Sequence, residues 1–337
     1  MYWPYEYEHI HFFAYSYNLG DNLISPQFNT SGTFTAEFDY TIPYSYTSDG
    51  DAEVQPDISF AISPSQHENN EPVSLKFVHA LAAIEFKMGA FGDAEIVSSS
   101  AQLSDILSEG HCTITYPVSP ESVKWATTGN RDSYSQTVKD GVPFMIIPQD
   151  LTDTEVTFNI SVTIGDITHE FPSKRISDIT PEWKANRKYV YTITKGGEVK
   201  VDVRDSNTST IKNNVKIQNS GFTTSYIRAA IVGYWYVLND GVEEIASSWD
   251  VNDEKAGTLT IAPDWAEHWR KMDDGFYYHI KPIKPSGYTA PLFDSYELIK
   301  TTGPVSGSKL NISIAVQAVE ENEATKALWE NALRSNN

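Results

Sequence analysis

Four places in the chain bring together residue types that could do chemistry. His79 sits inside LKFVHALAAIEFKMG, residues 75–89, among the most apolar runs in the sequence. An imidazole there could act as a general base or as a metal ligand, given partners at the right spacing. No second histidine lies at ligand spacing, and Glu71 and Glu85 are not placed as a metal triad needs. Burial would disfavour the charged form. The expectation is a neutral, hydrogen-bonded histidine in a core or at a sheet junction, on the same strand face as Leu75 and Phe77. His9 and His11 lie two apart, which puts both on one strand face and would offer half of a zinc site. Cys112 follows His111, so the two point to opposite faces of a strand and a buried free thiol is expected. SDGDAE (residues 48–53) and DVNDEKAG (250–257) gather oxygen ligands. Neither has the length or closing glutamate of an EF-hand loop, so both read as solvated hairpin turns. The chain carries no G-x-S-x-G, H-E-x-x-H, P-loop or dinucleotide fingerprint. With 45 acidic residues, carboxylate pairs are expected anyway and none stands out as an acid–base couple. No catalytic, cofactor-binding or metal residue is assigned, no cofactor is implied, and the chain is read as not an enzyme.

The elements that must hold these residues read as short strands. Residues 10–17, 34–42, 142–148, 156–164 and 188–194 are β-branched or aromatic and bounded by turn residues. A second set covers 198–205, 215–218, 226–238, 257–261, 275–280 and 310–319. In residues 75–89 the apolar parity switches at Ala82-Ala83, which fits one strand with a bulge; Phe77, Leu81, Ile84 and Met88 also fall at helical spacing, and the β-rich neighbours favour the strand. Helix signals are few: two turns over 263–271 and a C-terminal helix over 320–333. The expected fold class is all-β, two tandem β-sandwich domains with few short helices.

The length of 337 residues suits two domains. The boundary is placed at KGGEVK, giving domains 1–196 and 197–337. A net charge of −20 argues against nucleic acid and anionic membrane surfaces as partners, since no basic surplus replaces phosphate counterions. One cysteine excludes an intrachain disulfide. No signal peptide is visible and no apolar run is long enough to span a membrane. The chain is expected to be cut from a longer precursor, with lipid anchoring through a preceding segment left open.

Three stretches together resemble the fimbrillin family, β-sandwich surface and pilus proteins of anaerobic Gram-negative bacteria. YWPYEYEHIHFFAYSY resembles the family's opening motif. QPDISFAISPSQHENNEPVSLKFVHALAAIEFKMG carries Asp57 ahead of Phe77, His79 and Ala80 as the family does. VPFMIIPQDL pairs with PEWKANRKYVYTIT, where Trp183, Ala185, Tyr189 and Tyr191 match W-x-a-G-x-x-Y-x-Y and Asn186 stands at the usual glycine. Asn tolerates a left-handed backbone, so the turn can persist. The resemblance covers roughly residues 1 to 196 and implies that His79 is structural.

The remainder is similar to the TasA/camelysin-like β-sandwich of secreted bacterial fibre proteins. The matching residues include Asn219, Arg228, Trp235, the run Asp274 to Tyr278, Pro285, Thr289, the run Pro291 to Phe293, Gln317-Ala318 and Trp329. The protease activity sometimes attached to camelysin is not carried over, because no metal motif is present.

These resemblances imply an exported cell-surface or outer-membrane fimbrial or adhesin subunit, tip or accessory, assembling by β-strand addition. Its partners would be other pilus subunits or a host or bacterial surface ligand. The alternative is a monomeric surface lipoprotein that binds glycan through exposed aromatics such as those of GYWYVL and GFYYHI, with about half of the rings in the core.

Overall fold

Side chains alternate between buried and open positions along most segments rich in β-branched and aromatic residues. Thr157–Ile164 buries Phe158, Ile160, Val162 and Ile164 and turns the intervening residues outward. This is the period-2 signature of a sheet with one face on a core. The computed structural model describes residues 10–16, 23–28, 34–42, 57–66, 72–126, 129–208, 211–240, 242–249, 257–299 and 306–334. Strand accounts for 59% and helix for 7%, so the fold is all-β, as expected. The chain divides into two compact units. One comprises residues 1–89, 98–162 and 168–193, the other residues 90–97, 163–167 and 194–337.

The first unit is built on several sheets, most of their strand pairs antiparallel. One runs Leu23–Phe28, Phe34–Thr41, Glu109–Thr115, Val123–Trp125. Another runs Arg131–Thr137, Ser98–Leu107, Thr157–Ile164, Ile167–Arg175. Smaller sheets join Ile10–Tyr15, Ser59–Gln66 and Val78–His79, and Phe144–Ile146, Ala82–Phe91 and Arg187–Lys195. Aromatic rings hold the interior. Phe38 lies 5.1 Å from Phe60 and 5.5 Å from the Trp125 ring, and Phe86 lies 5.3 Å from Phe158. Such offset or edge-on pairs add to the burial of their own surface.

The stretch 75–89 is two strands and not one bulged strand. Val78–His79 pairs with Ser59–Gln66, whereas Ala82–Phe91 pairs with Phe144–Ile146 in another sheet. The chain crosses between sheets at Ala80-Leu81, both buried. A crossing reverses the parity of later side chains as a bulge does, which is why the pattern alone reads either way.

Cys112 is fully buried in Glu109–Thr115, and its neighbour His111 points out to Asp39, Nδ1 to Oδ1 2.7 Å. Burial pushes the Cys112 thiol far above its ordinary range. The native protein should therefore leave an aromatic disulfide reagent unreacted at pH 8, and release one equivalent of chromophore once unfolded in guanidinium. Stoichiometric reaction in the native state would contradict the buried placement.

The second unit pairs Val201–Asn207, Ile211–Asn219, Phe293–Leu298 and Gly257–Thr260 in one sheet. The other is built on Ser225–Asn239, which pairs with Val242–Ser248, Tyr277–His279 and Lys309–Glu320; Trp269–Lys271 joins through Tyr277–His279. Val215, Ile217, Ile227, Ala229, Trp269, Leu292 and Phe293 form the core. The two turns of helix expected over 263–271 shrink to Trp265–His268 followed by the strand Trp269–Lys271. Tertiary contacts override helix propensity here, because Trp269 is buried and its indole N–H donates to Ala290 O at 3.0 Å. The C-terminal helix forms as Glu323–Arg334. Its start is fixed by a reciprocal cap, Thr325 N–H to Asn322 Oδ1 and Asn322 N–H to Thr325 Oγ1, both 2.9 Å.

Candidate functional site

In the first unit the residues of the second and third sequence motifs converge. His79 closes its short strand opposite Ser59, two residues beyond Asp57. Its imidazole Nδ1 lies 2.8 Å from Asp57 Oδ2. Its backbone N–H donates to Asn186 Oδ1 at 3.2 Å, and the Asn186 N–H donates to Leu81 O at 3.1 Å. Asn186 adopts φ +58°, the left-handed conformation that glycine or asparagine supplies. The indole of Trp125 donates to Ala80 O at 2.9 Å. Asp57, His79, Pro143, Met145, Asn186 and Lys188 line a hollow of about 260 Å³.

His79 is thus hydrogen-bonded at a sheet junction, but it is not a core residue. Its side chain is 51% exposed, and Phe77 beside it is exposed too. The inward parity belongs to Val78 and Ala80, because the strand is short and ends where the chain dives between sheets.

The chemistry this corner can do is limited. Asp57 and His79 form half of a nucleophile-activating relay, but the residues that line the hollow include no serine, threonine or cysteine. Among the described residues no group of three His, Cys, Asp or Glu could hold a metal. Close by, the buried Glu85 carboxylate pairs with Lys188, lies 3.5 Å from Lys87 Nζ and accepts the Gly141 N–H at 2.9 Å. Burial raises its pKa, but the Lys188 and Gly141 hydrogen bonds and the two lysine charges outweigh that and hold it below the usual value. The group is a fixed anion that locks three segments together and not a proton carrier. The Glu85–Lys188 pair left no signal in the sequence beyond a carboxylate in an apolar run. His9, residues 48–53 and residues 250–256 lie outside the described residues, as does the side chain of His11.

In the second unit the residues singled out from sequence also meet. Arg228 Nε donates to Gln317 Oε1 at 2.8 Å, and Nη1 donates to Asp274 Oδ2 at 2.9 Å and to the Tyr278 hydroxyl. The guanidinium lies 4.3 Å from the Phe276 ring centroid. Trp329 of the C-terminal helix stacks on Tyr226 at 5.2 Å and packs on Tyr278 at 4.7 Å. A hollow of about 300 Å³ lies between them. The aromatics of GYWYVL and GFYYHI are largely internal: Trp235, Tyr277 and Tyr278 are buried, and Tyr234, Tyr236 and Phe276 are half-buried. No flat exposed platform of rings forms from them, so the sugar-stacking alternative finds no support in their placement.

His279 was not singled out from sequence. It is buried, its Nδ1 is 2.7 Å from Lys281 O, and its Nε2 accepts the Ala290 N–H at 3.4 Å. These partners require the neutral ring with the proton on Nδ1. Burial first, and then the nearby His268 and Lys281, hold its pKa below the ordinary histidine value. The unfolded chain therefore binds this proton more readily than the folded one. Stability from this group is complete above about pH 6.5 and declines as pH falls below it. Urea unfolding of the second unit should show a lower midpoint at pH 5.5 than at pH 7.5. His279→Phe should reduce that difference; an undiminished difference would assign it to other groups.

The model of the fimbrillin-like family matches residues 1–219. Among curated proteins none matches. Among solved structures, a candidate cell adhesion protein from Bacteroides uniformis is similar at 15% identity and TM-score 0.33, over 49% of this chain and 67% of that one. One from Bacteroides ovatus matches at 19% identity and TM-score 0.31, over 48% and 63%. One from Bacteroides thetaiotaomicron matches at 14% and 0.28, over 48% and 64%. The chain thus spans about two thirds of the length of each. Likenesses this loose add nothing to the family match.

Proposed function

The chain belongs to the fimbrillin-like family, and from that membership we propose that it is a cell-surface fimbrial or adhesion subunit whose work is structural rather than catalytic. The family match carries the reading. The geometry supports it, since the motif residues Asp57, His79 and Asn186 tie strands together and present no nucleophile. We place the subunit at a tip or accessory position, joined to other subunits by strand addition, in which main-chain hydrogen bonds complete an open sheet edge. Residues 323–334 form a helix docked through the buried Trp329, so this segment does not offer a ready donor strand. A division near residues 195–200 into a fimbrillin-like and a TasA/camelysin-like domain belongs to the same reading. The meeting of Arg228, Asp274, Tyr278 and Gln317 supports it.

The assembly step is tested by mixing the purified chain with the partner subunits of the same fimbria. Heat-labile but SDS-resistant ladders are the expected result. Their absence at every mixing ratio would count against strand addition.

A further inference from the structure

The edge strand Lys309–Glu320 stands apart from the other edges of the second unit. It pairs with Ser225–Asn239 without a break, from Ser225 opposite Glu320 to Tyr236 opposite Lys309. Among the described residues no strand pairs with its other side. Its inward residues Leu310, Ile312, Ile314, Val316 and Ala318 pack on the core yet stay only half-buried. On the inward face of the strand beside it Ile227, Ala229 and Trp235 are buried, and Ile231 opposite Ile314 is half-buried. Val201–Asn207 of the facing sheet approaches this strand without pairing with it, so its outer main-chain groups are left without a strand partner among the described residues.

Natural edges are usually defended by charge, proline or brevity. Val201–Asn207 carries Asp202, Arg204 and Asp205, and Val242–Ser248 carries Glu243 and Glu244. Gly257–Thr260 is four residues long, and Trp269–Lys271 carries Arg270 and Lys271. From Leu310 to Val319 there is no charge and no proline, in a chain of net charge −20. The uncharged stretch is bounded by Lys309 at one end and by Glu320 and Glu321 at the other.

We propose that this edge is the interface for a second copy of the chain, the two strands pairing antiparallel about Ala315. In that register Ala315 faces Ala315, Ile314 faces Val316, and Ile312 faces Ala318. Lys309 of each copy then faces Glu321 of the other. Paired residues of antiparallel strands share a face, so the inward residues from Ile312 to Ala318 meet one another, Leu310 faces Glu320, and the Lys309–Glu321 pairs close both ends. That charge pattern is self-complementary, which selects a second copy over an unrelated strand and gives a closed, two-fold interface. One strand pair and its flanks make a small contact, so the dimer is weak and concentration-dependent. The inference does not rest on the fimbrial reading.

Sedimentation equilibrium of the whole chain tests it, between about 1 μM and about 1 mM, the range in which weak complexes populate. A monomer–dimer equilibrium is expected. Ala315→Lys, at an exposed position facing itself across the axis, should leave only monomer while the far-UV circular dichroism stays unchanged. Lys309→Glu alone and Glu321→Lys alone should each weaken the dimer roughly tenfold, because each change acts twice across the axis. The double exchange should restore it. Monomer at every concentration, a dimer indifferent to these changes, or open-ended growth would overturn the proposal.

Discussion

Replacing Trp183 by alanine should destabilise the first unit by about 3–5 kcal/mol, the usual cost of truncating a buried aromatic side chain. Trp183 is 1% exposed and sits in the short strand Glu182–Trp183, paired with Gln149–Asp150. Its indole N–H donates to the Tyr191 hydroxyl at 3.1 Å. The loss therefore combines a large cavity with a hydroxyl left without its donor. For a unit of this size the melting temperature should fall by roughly 10 °C. Trp183→Phe separates the two contributions, since it keeps most of the buried surface and removes the hydrogen bond. Its cost should be well below that of alanine. Equal costs would mean that the hydrogen bond and not the packing dominates. A loss under about 1 kcal/mol for the alanine variant would show that the site collapses around the gap.

Asn219→Ala should produce the comparable effect in the second unit. Asn219 is fully buried, and its amide nitrogen donates to Thr223 O at 2.9 Å and Ile283 O at 2.8 Å. Its side-chain oxygen accepts the Gly221 N–H at 3.1 Å. One side chain thus ties together the end of Ile211–Asn219, the turn that follows and the segment at Ile283. Gly221 is held where an added Cβ would lie 2.1 Å from Glu198 O, so the turn cannot relax toward a bulkier arrangement. Removing the amide leaves one buried N–H without a partner and strips two carbonyls of a donor, a loss of about 2–4 kcal/mol. Asn219→Asp is the sharper variant. At pH 7 it aims a carboxylate at two carbonyl oxygens and should cost at least as much as alanine. Lowering the pH should recover part of that loss, because the protonated acid can again donate. The measurement is the urea midpoint of the second unit for both variants at pH 7 and pH 4.5. An aspartate variant as stable as the native protein at pH 7 would contradict the hydrogen-bond assignment.

The strands that sequence reveals are those with an alternating pattern or a long β-branched and aromatic run. Thr157–Ile164 and Lys309–Glu320 are legible by alternation, and Ser225–Asn239, whose burial does not alternate strictly, by its length and composition. Ser98–Leu107, Arg131–Thr137 and Ile167–Arg175 were not. Their small and polar residues give no hydrophobic rhythm, and they are strands because neighbours with better patterns supply the ladder. Which strand pairs with which is invisible to a period of two. That is why residues 75–89 read as one bulged strand when they belong to two sheets.

The candidate site divides along the same line. Asp57, His79 and Asn186 were each marked by motif order, yet their meeting depends on pairing between strands distant in sequence. The sequence leaves His79 either in a core or at a sheet junction, because a histidine among apolar neighbours looks buried until the end of its strand is known; the structure gives the junction. His279 lies in a run of aromatics, and nothing local separates it from them.

The central claim is that this chain is a structural subunit of the cell surface. Immunogold electron microscopy of intact producing cells, using antibodies raised against the folded chain, tests it most directly. The account predicts gold on the outer surface and along or at the ends of fibres, lost when the gene is deleted. Gold confined to the interior of sectioned cells, with none on intact ones, would contradict it.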